Sequence, residues 1–307
     1  MRLDRFQRAA LLTTLTTYAL IAVGGLVRAS GAGLGCPDWP MCFGLLIPPL
    51  DASGLPPGFD PADFNVFKTW TEYINRLIGA ITGLLILWTA ALAVLDHRKN
   101  RSVLWPTIGA FLLVLTTGWL GAKVVRSGLD PRMLTLHLVF ALLVVSFLLY
   151  ATVSAFYPAG PSAAPRPEQQ RVGWLTLGAI VVLLIQVGFG AFVRGEVQRV
   201  AETGAPRATW LAQVGLIETL HQSFAIFVAA AVVGSAALAW RLKERVTQRA
   251  ATASIALVLG QAFAGLGLTT LGFPRSLQVL HLLGSSLLIG ALTLQAMLAW
   301  RVGPSRP

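Results

Sequence analysis

Two short stretches carry residue types able to do chemistry: Glu218-Thr219-Leu220-His221 and its fainter copy Glu72-Tyr73-Ile74-Asn75. In each, an acid stands three residues before a side chain with a donor atom, at the start of a long apolar run. On a helix both project from one side. His137 and His281 open two further apolar runs. Ionisable groups at membrane depth are costly and are usually kept for function. His221 and His281, with no cysteine or carboxylate cluster beside them, suit the paired axial ligands of a haem better than zinc or a di-iron centre. The competing reading, two core histidines satisfied by hydrogen bonds, leaves the repeated acid unexplained. His97, in a run of basic residues, reads as a solvated cytoplasmic histidine.

The first half is the weaker copy. Asn75 occupies the place of a ligand, and an amide is a poor donor to haem iron. A haem there hangs on His137 alone, with an open coordination position or an exchangeable hold. Glu72, one helical turn from Asn75, could carry protons or stabilise positive charge near the ring; an acid favoured by the helix N-terminus is the plainer alternative. Propionates need cations, and Arg28, Arg126, Arg132, Arg194 and Arg275 lie at the matching helix ends, with Arg76 beside Asn75. Each arginine taken singly also reads as an interfacial anchor.

These residues must be positioned by membrane helices. The chain has 307 residues, 55% hydrophobic and only 12% charged, too little polar surface to clothe a soluble globule. The expected fold is an all-α integral membrane protein with eight spans, at about 8–27, 71–95, 103–122, 133–156, 172–193, 213–240, 250–270 and 277–300. The net charge of +11 is scattered through short loops with no aromatic-interleaved basic face, which points to lipid contact and topology and away from nucleic acid. Of the 24 basic residues, 14 fall on the side shared by both termini, which puts the termini in the cytoplasm and the histidines near the external face of the plasma membrane. Three arginines precede the first run, whose length marks a retained helix, not a signal peptide.

The spans form an internal repeat. Gly25-Leu26-Val27-Arg28 matches Ala191-Phe192-Val193-Arg194, Glu72 and Asn75 match Glu218 and His221, and His137 matches His281. Four spans separate the copies, so the two four-helix bundles form a parallel repeat about an axis along the membrane normal. The expected halves are 1–157 and 172–307, joined by a cytoplasmic Pro-rich linker at 158–171. The external loop 28–69 holds Cys36 and Cys42, spaced to close a small disulfide ring or to act as a redox pair. No histidine lies in that loop to complete a zinc site.

These motifs resemble the heme A synthase family across almost the whole chain. The likeness rests on Gly25-Leu26-Val27-Arg28-Ala29-Ser30-Gly31 through Gly35-Cys36-Pro37-Asp38-Trp39-Pro40-Met41-Cys42, on Glu72-Tyr73-Ile74-Asn75-Arg76, and on His137, His221 and His281. The resemblance implies oxidation of a methyl group of haem O, through hydroxylation, to the formyl group of haem A for cytochrome oxidase. It further implies haem b on His221 and His281 for electron transfer, substrate haem O near Glu72 and His137, and a loop disulfide close to it. The chain departs at one position: the family pattern has histidine where Asn75 stands. Expected partners are a haem O synthase and a membrane electron acceptor, with homo-oligomers left open. The alternative is a bis-histidine, cytochrome b-like electron carrier or quinone oxidoreductase.

Overall fold

The computed structural model describes residues 3–157 and 165–301. Residues 158–164 of the expected linker lie outside it, as do Arg2 and Arg306 of the basic count. The described residues contain eight α-helices and no strand: α1 Arg5–Ser30, α2 Val66–Asp96, α3 Arg101–Arg126, α4 Pro131–Phe156, α5 Pro167–Glu202, α6 Leu216–Arg241, α7 Arg245–Thr270 and α8 Arg275–Arg301. All eight are long and apolar enough to cross a membrane. A helix of this length spans about 39 Å, against roughly 30 Å of hydrocarbon. The chain is a multi-pass membrane protein.

Helix ends are set by local chemistry. Asp4 and Gln7 form a reciprocal capping box at the start of α1, at 2.7 and 3.1 Å. Asn65 caps α2 through the Lys68 N–H at 3.0 Å, and Asp130 caps α4 with Pro131 in the first turn. Three helices depart most from the apolar-run reading, α7 among them, which starts at Arg245, ahead of 250. The α2 helix begins at Val66, ahead of 71, because its Asn65 cap lies in polar sequence. The α5 helix runs from Pro167 to Glu202, well past both 172 and 193, because Val193 and Val197 pack with Val214, Leu268 and Phe273 and hold its polar end helical. Between α5 and α6 the chain makes two 3-10 turns, Arg207–Thr209 and Leu211–Gln213, before Gly215, at φ 78°, lets it enter α6.

Consecutive helices pack side by side from α1 to α4, with α4 closing onto α1, and likewise from α5 to α8, with α8 closing onto α5. Contacts between these sets run from α8 to α1 and α4, and from α4 to α5. The most buried helix is α8, with 67% of its apolar window inside the protein against 17% for α7, which makes α8 the hub and α7 a peripheral helix.

Short polar side chains stitch the interior. The Thr13 and Thr89 hydroxyls meet at 2.8 Å between α1 and α2. The Gln295 amide donates to Thr176 at 2.9 Å and Ser235 at 3.2 Å, tying α8 to α5 and α6. Interhelical bonds of this kind are worth about 0.6 kcal/mol each in a bilayer. Outward lie Leu84, Trp88, Phe227 and Phe263, all exposed, as suits a surface bathed in acyl chains. His97, expected to be solvated, is half-buried: its ring packs on Phe6 with centres 4.8 Å apart, and its Nε2 lies 4.0 Å from Asp4.

Candidate haem-binding site

His221 lies on the second turn of α6 and His281 on the second turn of α8, at the end of the bundle that carries the 31–65 loop. Their ring centres are 6.4 Å apart and the ring planes are inclined at 78°. An iron gripped from both sides through nitrogens at about 2 Å holds two imidazole centres roughly 6 Å apart, so this pair is spaced to share one iron. Among the described residues no group of three or more His, Cys, Asp or Glu side chains gathers to hold a metal ion. A zinc or di-iron centre needs such a set, whereas a haem brings four nitrogens and asks the protein for two. The donor chemistry therefore fits haem. On α5, Gln186 donates its amide to the His221 carbonyl at 2.9 Å, while Gln186 Oε1 and His221 Nδ1 are both buried without a hydrogen-bond partner.

In the first half, His137 on α4 sets its Nδ1 3.0 Å from the Thr117 carbonyl on α3. A carbonyl only accepts, so Nδ1 carries the proton and the Nε2 lone pair is left for a metal. Asn75 on α2 faces inward, and its Oδ1 is buried without a partner.

Glu72 is 4% exposed and faces the disulfide loop. Cys36 and Cys42 are joined, with Cα atoms 4.7 Å apart. One Glu72 oxygen accepts the Cys36 N–H at 3.0 Å; the other pairs with Arg76, one turn along the helix, whose Nε donates to it at 3.1 Å. Arg76 also donates to the carbonyls of Asp38 at 2.7 Å, Met41 at 2.9 Å and Cys36 at 3.1 Å. With a second bond to Glu72, these contacts engage all five guanidinium N–H groups, leaving none for a propionate. Inside the loop, Asp38 accepts the Phe43 and Gly44 N–H groups at 2.6 and 2.8 Å, and Thr69 donates to the Gly35 carbonyl at 2.8 Å. A Cβ on Gly35 would overlap the Lys68 carbonyl, so only glycine lets the loop lie this close to α2. Glu218, the counterpart of Glu72, has no such loop: it pairs with Gln222, four residues on, where the first half has Arg76.

The arginines divide into two groups. Arg126, Arg132 and Arg275 are exposed at helix ends. Arg28 and Arg194 are half-buried between the two helix sets. Arg28 reaches from α1 to Gln198 of α5 at 2.8 Å, and Arg194 donates to Gln278 of α8 at 3.1 Å and to the Arg28 carbonyl at 2.9 Å. Neither forms an ion pair within 4.0 Å among the described residues; the nearby acid is Glu202, which accepts from Gln198 at 3.0 Å. Beside them lies a cavity of about 250 Å³ whose polar lining includes Arg194, Gln198, Glu202, Arg207, Arg275 and Gln278, three cations to one acid, and next to it one of about 590 Å³ bounded by Arg207 and Arg275. Arg207 is an addition that the sequence did not suggest, because it sits in the 3-10 turns before α6 and outside any apolar run. Carboxylates of an amphipathic ligand would be matched here.

Relatives match along nearly the whole chain. It is 27% identical to the heme A synthase of Shouchella clausii over 96% of this chain and 97% of that one. It is 25% identical to the heme A synthase of Caulobacter sp. strain K31 over 98% of both chains, and 28% identical to a heme A synthase of Methylorubrum extorquens over 85% and 77%. A family model for cytochrome oxidase assembly proteins matches residues 7–293. The chain belongs to that family, COX15-CtaA.

Proposed function

We propose that this protein is a heme A synthase, an oxidoreductase that converts the methyl substituent of haem O, through hydroxylation, to the formyl group of haem A. The observation that carries the reading is the pairing of His221 and His281 from α6 and α8 at a ring separation of 6.4 Å, within a chain whose relatives bear that name. In this reading His221 and His281 hold a resident haem b, which supplies one-electron transfer when bound. The first half takes the substrate: His137 offers a bare Nε2 oriented by the Thr117 carbonyl, and Asn75 offers no second nitrogen ligand. Glu72 and Arg76 act as a neutralised pair that fixes the disulfide loop over the start of α2, and Arg28, Arg194, Arg207 and Arg275 supply positive charge for propionates.

The two helix sets are read as copies related by a parallel repeat, supported by the way α4–α5 contact mirrors α8–α1 contact. By the distribution of basic residues, the termini face the cytoplasm of the plasma membrane and the histidine end faces outward. Purified protein is expected to show a six-coordinate haem spectrum that disappears in His221→Ala and in His281→Ala. Cells lacking the gene accumulate haem O under this reading. Unchanged pigment would favour a simple electron carrier instead.

A further inference from the structure

Each histidine of the site rests against a glycine of the preceding helix. A Cβ built on Gly190 of α5 would lie 3.0 Å from Cε1 of His221, one on Gly121 of α3 would lie 3.4 Å from Cε1 of His137, and one on Gly265 of α7 would lie 3.6 Å from Cε1 of His281. Four residues before Gly121, the Thr117 carbonyl faces the His137 Nδ1 at 3.0 Å; four before Gly190, the Gln186 amide donates to the His221 carbonyl at 2.9 Å. Thr117, Gly121 and His137 recur 144 positions later as Gln261, Gly265 and His281. The fourth member is Gly24 of α1, which faces Oδ1 of Asn75 at 3.8 Å.

Such a juxtaposition has a physical consequence. In His137 the Thr117 carbonyl holds Nδ1 and leaves Nε2 free; in His221, whose Nδ1 has no hydrogen-bond partner, the close fit of Cε1 against Gly190 is what limits the rotation of the ring. A methyl group on the odd-numbered helix would push the ring out of that rotation, and the push grows as the gap shrinks. Gly178 of α5 and Gly260 of α7 have nothing within 4 Å of a built Cβ, whereas Gly173, Gly195 and Gly267 of the same two helices approach Trp300, Pro131 and Leu277 closely; what sets Gly190 apart is that its close neighbour is an imidazole.

We propose that Gly190 is a positioning residue that sets the rotation of the His221 imidazole, Gly265 standing at ordinary contact distance from His281. The proposal rests on the reading of His221 and His281 as ligands of a resident haem. Alanine is the better helix former, so a defect in a Gly→Ala variant cannot be traced to a weakened helix.

The test compares Gly190→Ala, Gly265→Ala, Gly178→Ala and Gly260→Ala with the unaltered full chain in detergent. Haem content, the low-spin to high-spin ratio of the optical spectrum, and helix content are measured. Gly190→Ala is expected to lower haem affinity about tenfold, the lower end of the cost of disturbing a ligand's support, and to shift the spectrum toward high spin at unchanged helix content. Gly265→Ala, at ordinary contact distance, is expected to keep its low-spin spectrum, as are both controls. A wild-type spectrum and affinity in Gly190→Ala overturn the proposal. So does an equal loss in Gly178→Ala, which would make the effect a generic one of α5. His221→Ala and His281→Ala, run beside them, separate the two claims: if they keep the haem spectrum, the ligand reading itself fails; if they lose it while Gly190→Ala does not, only the positioning role fails.

Discussion

The Glu72 carboxylate accepts the main-chain N–H of Cys36 at 3.0 Å across 36 residues of sequence, with Arg76 closing the other side. The second turn of α2 and the disulfide loop are thereby one rigid unit. A lone buried charge is costly, so removing either partner harms more than the pair helps.

Glu72→Ala is therefore expected to cost about 3 kcal/mol locally, visible as protease sensitivity of the 31–65 loop, together with loss of haem A formation. Arg76→Ala should produce the same loosening, because three loop carbonyls lose their donor with it. If both variants lose activity while the loop stays protected, Glu72 acts on the substrate directly and not through the loop.

His221→Ala and His281→Ala should each lower haem retention on the order of 100-fold, measured by haem content after gel filtration. His137→Ala should leave the tightly held haem in place and abolish turnover. Equal loss in all three variants would mean that one haem is shared between the halves.

Opening the Cys36–Cys42 ring, by Cys36→Ser with Cys42→Ser, removes a closure worth about 2 kcal/mol in the chain-entropy account. Since Asp38, Thr69 and Arg76 also hold the loop, the double variant should keep its helices and its second-half haem spectrum. Hydrogen exchange should rise only between residues 31 and 65, and exchange spreading into α6 or α8 would contradict this.

Asn75→His should be accommodated, because Gly24 leaves room beside the Asn75 side chain and its Oδ1 has no partner to lose. The expected outcome, in protein loaded with haem O, is added low-spin signal from the first half and slower release of that haem. Magnetic circular dichroism of the loaded variant reads this directly; a spectrum identical to the unaltered chain would show that position 75 does not face the iron.

The eight helices and the approach of His221 to His281 were legible in the sequence because apolar runs and ligand types are side-chain signals. The clamp around the disulfide was not. Arg76 binds three carbonyls, and Cys36 meets Glu72 through its N–H, groups every residue carries and no pattern advertises. For the same reason Arg76 looked free to meet a propionate. The bridge from Arg28 to Gln198 joins residues 170 apart, a separation that periodicity cannot encode. The glycines beside the imidazoles were visible only as ordinary small residues of membrane helices, since what marks them is the ring on the neighbouring helix.

The hub position of α8 has a bearing on biosynthesis. It follows the other seven helices along the chain, yet α1, α4, α5 and α7 all pack on it. During insertion those helices enter the bilayer with a shared face still unpartnered, and His221 waits without its mate. Closure of the α5–α8 bundle, its docking on α1 and α4, and the meeting of His221 with His281 are thus a single late event, after the α1–α4 bundle can already have closed on itself.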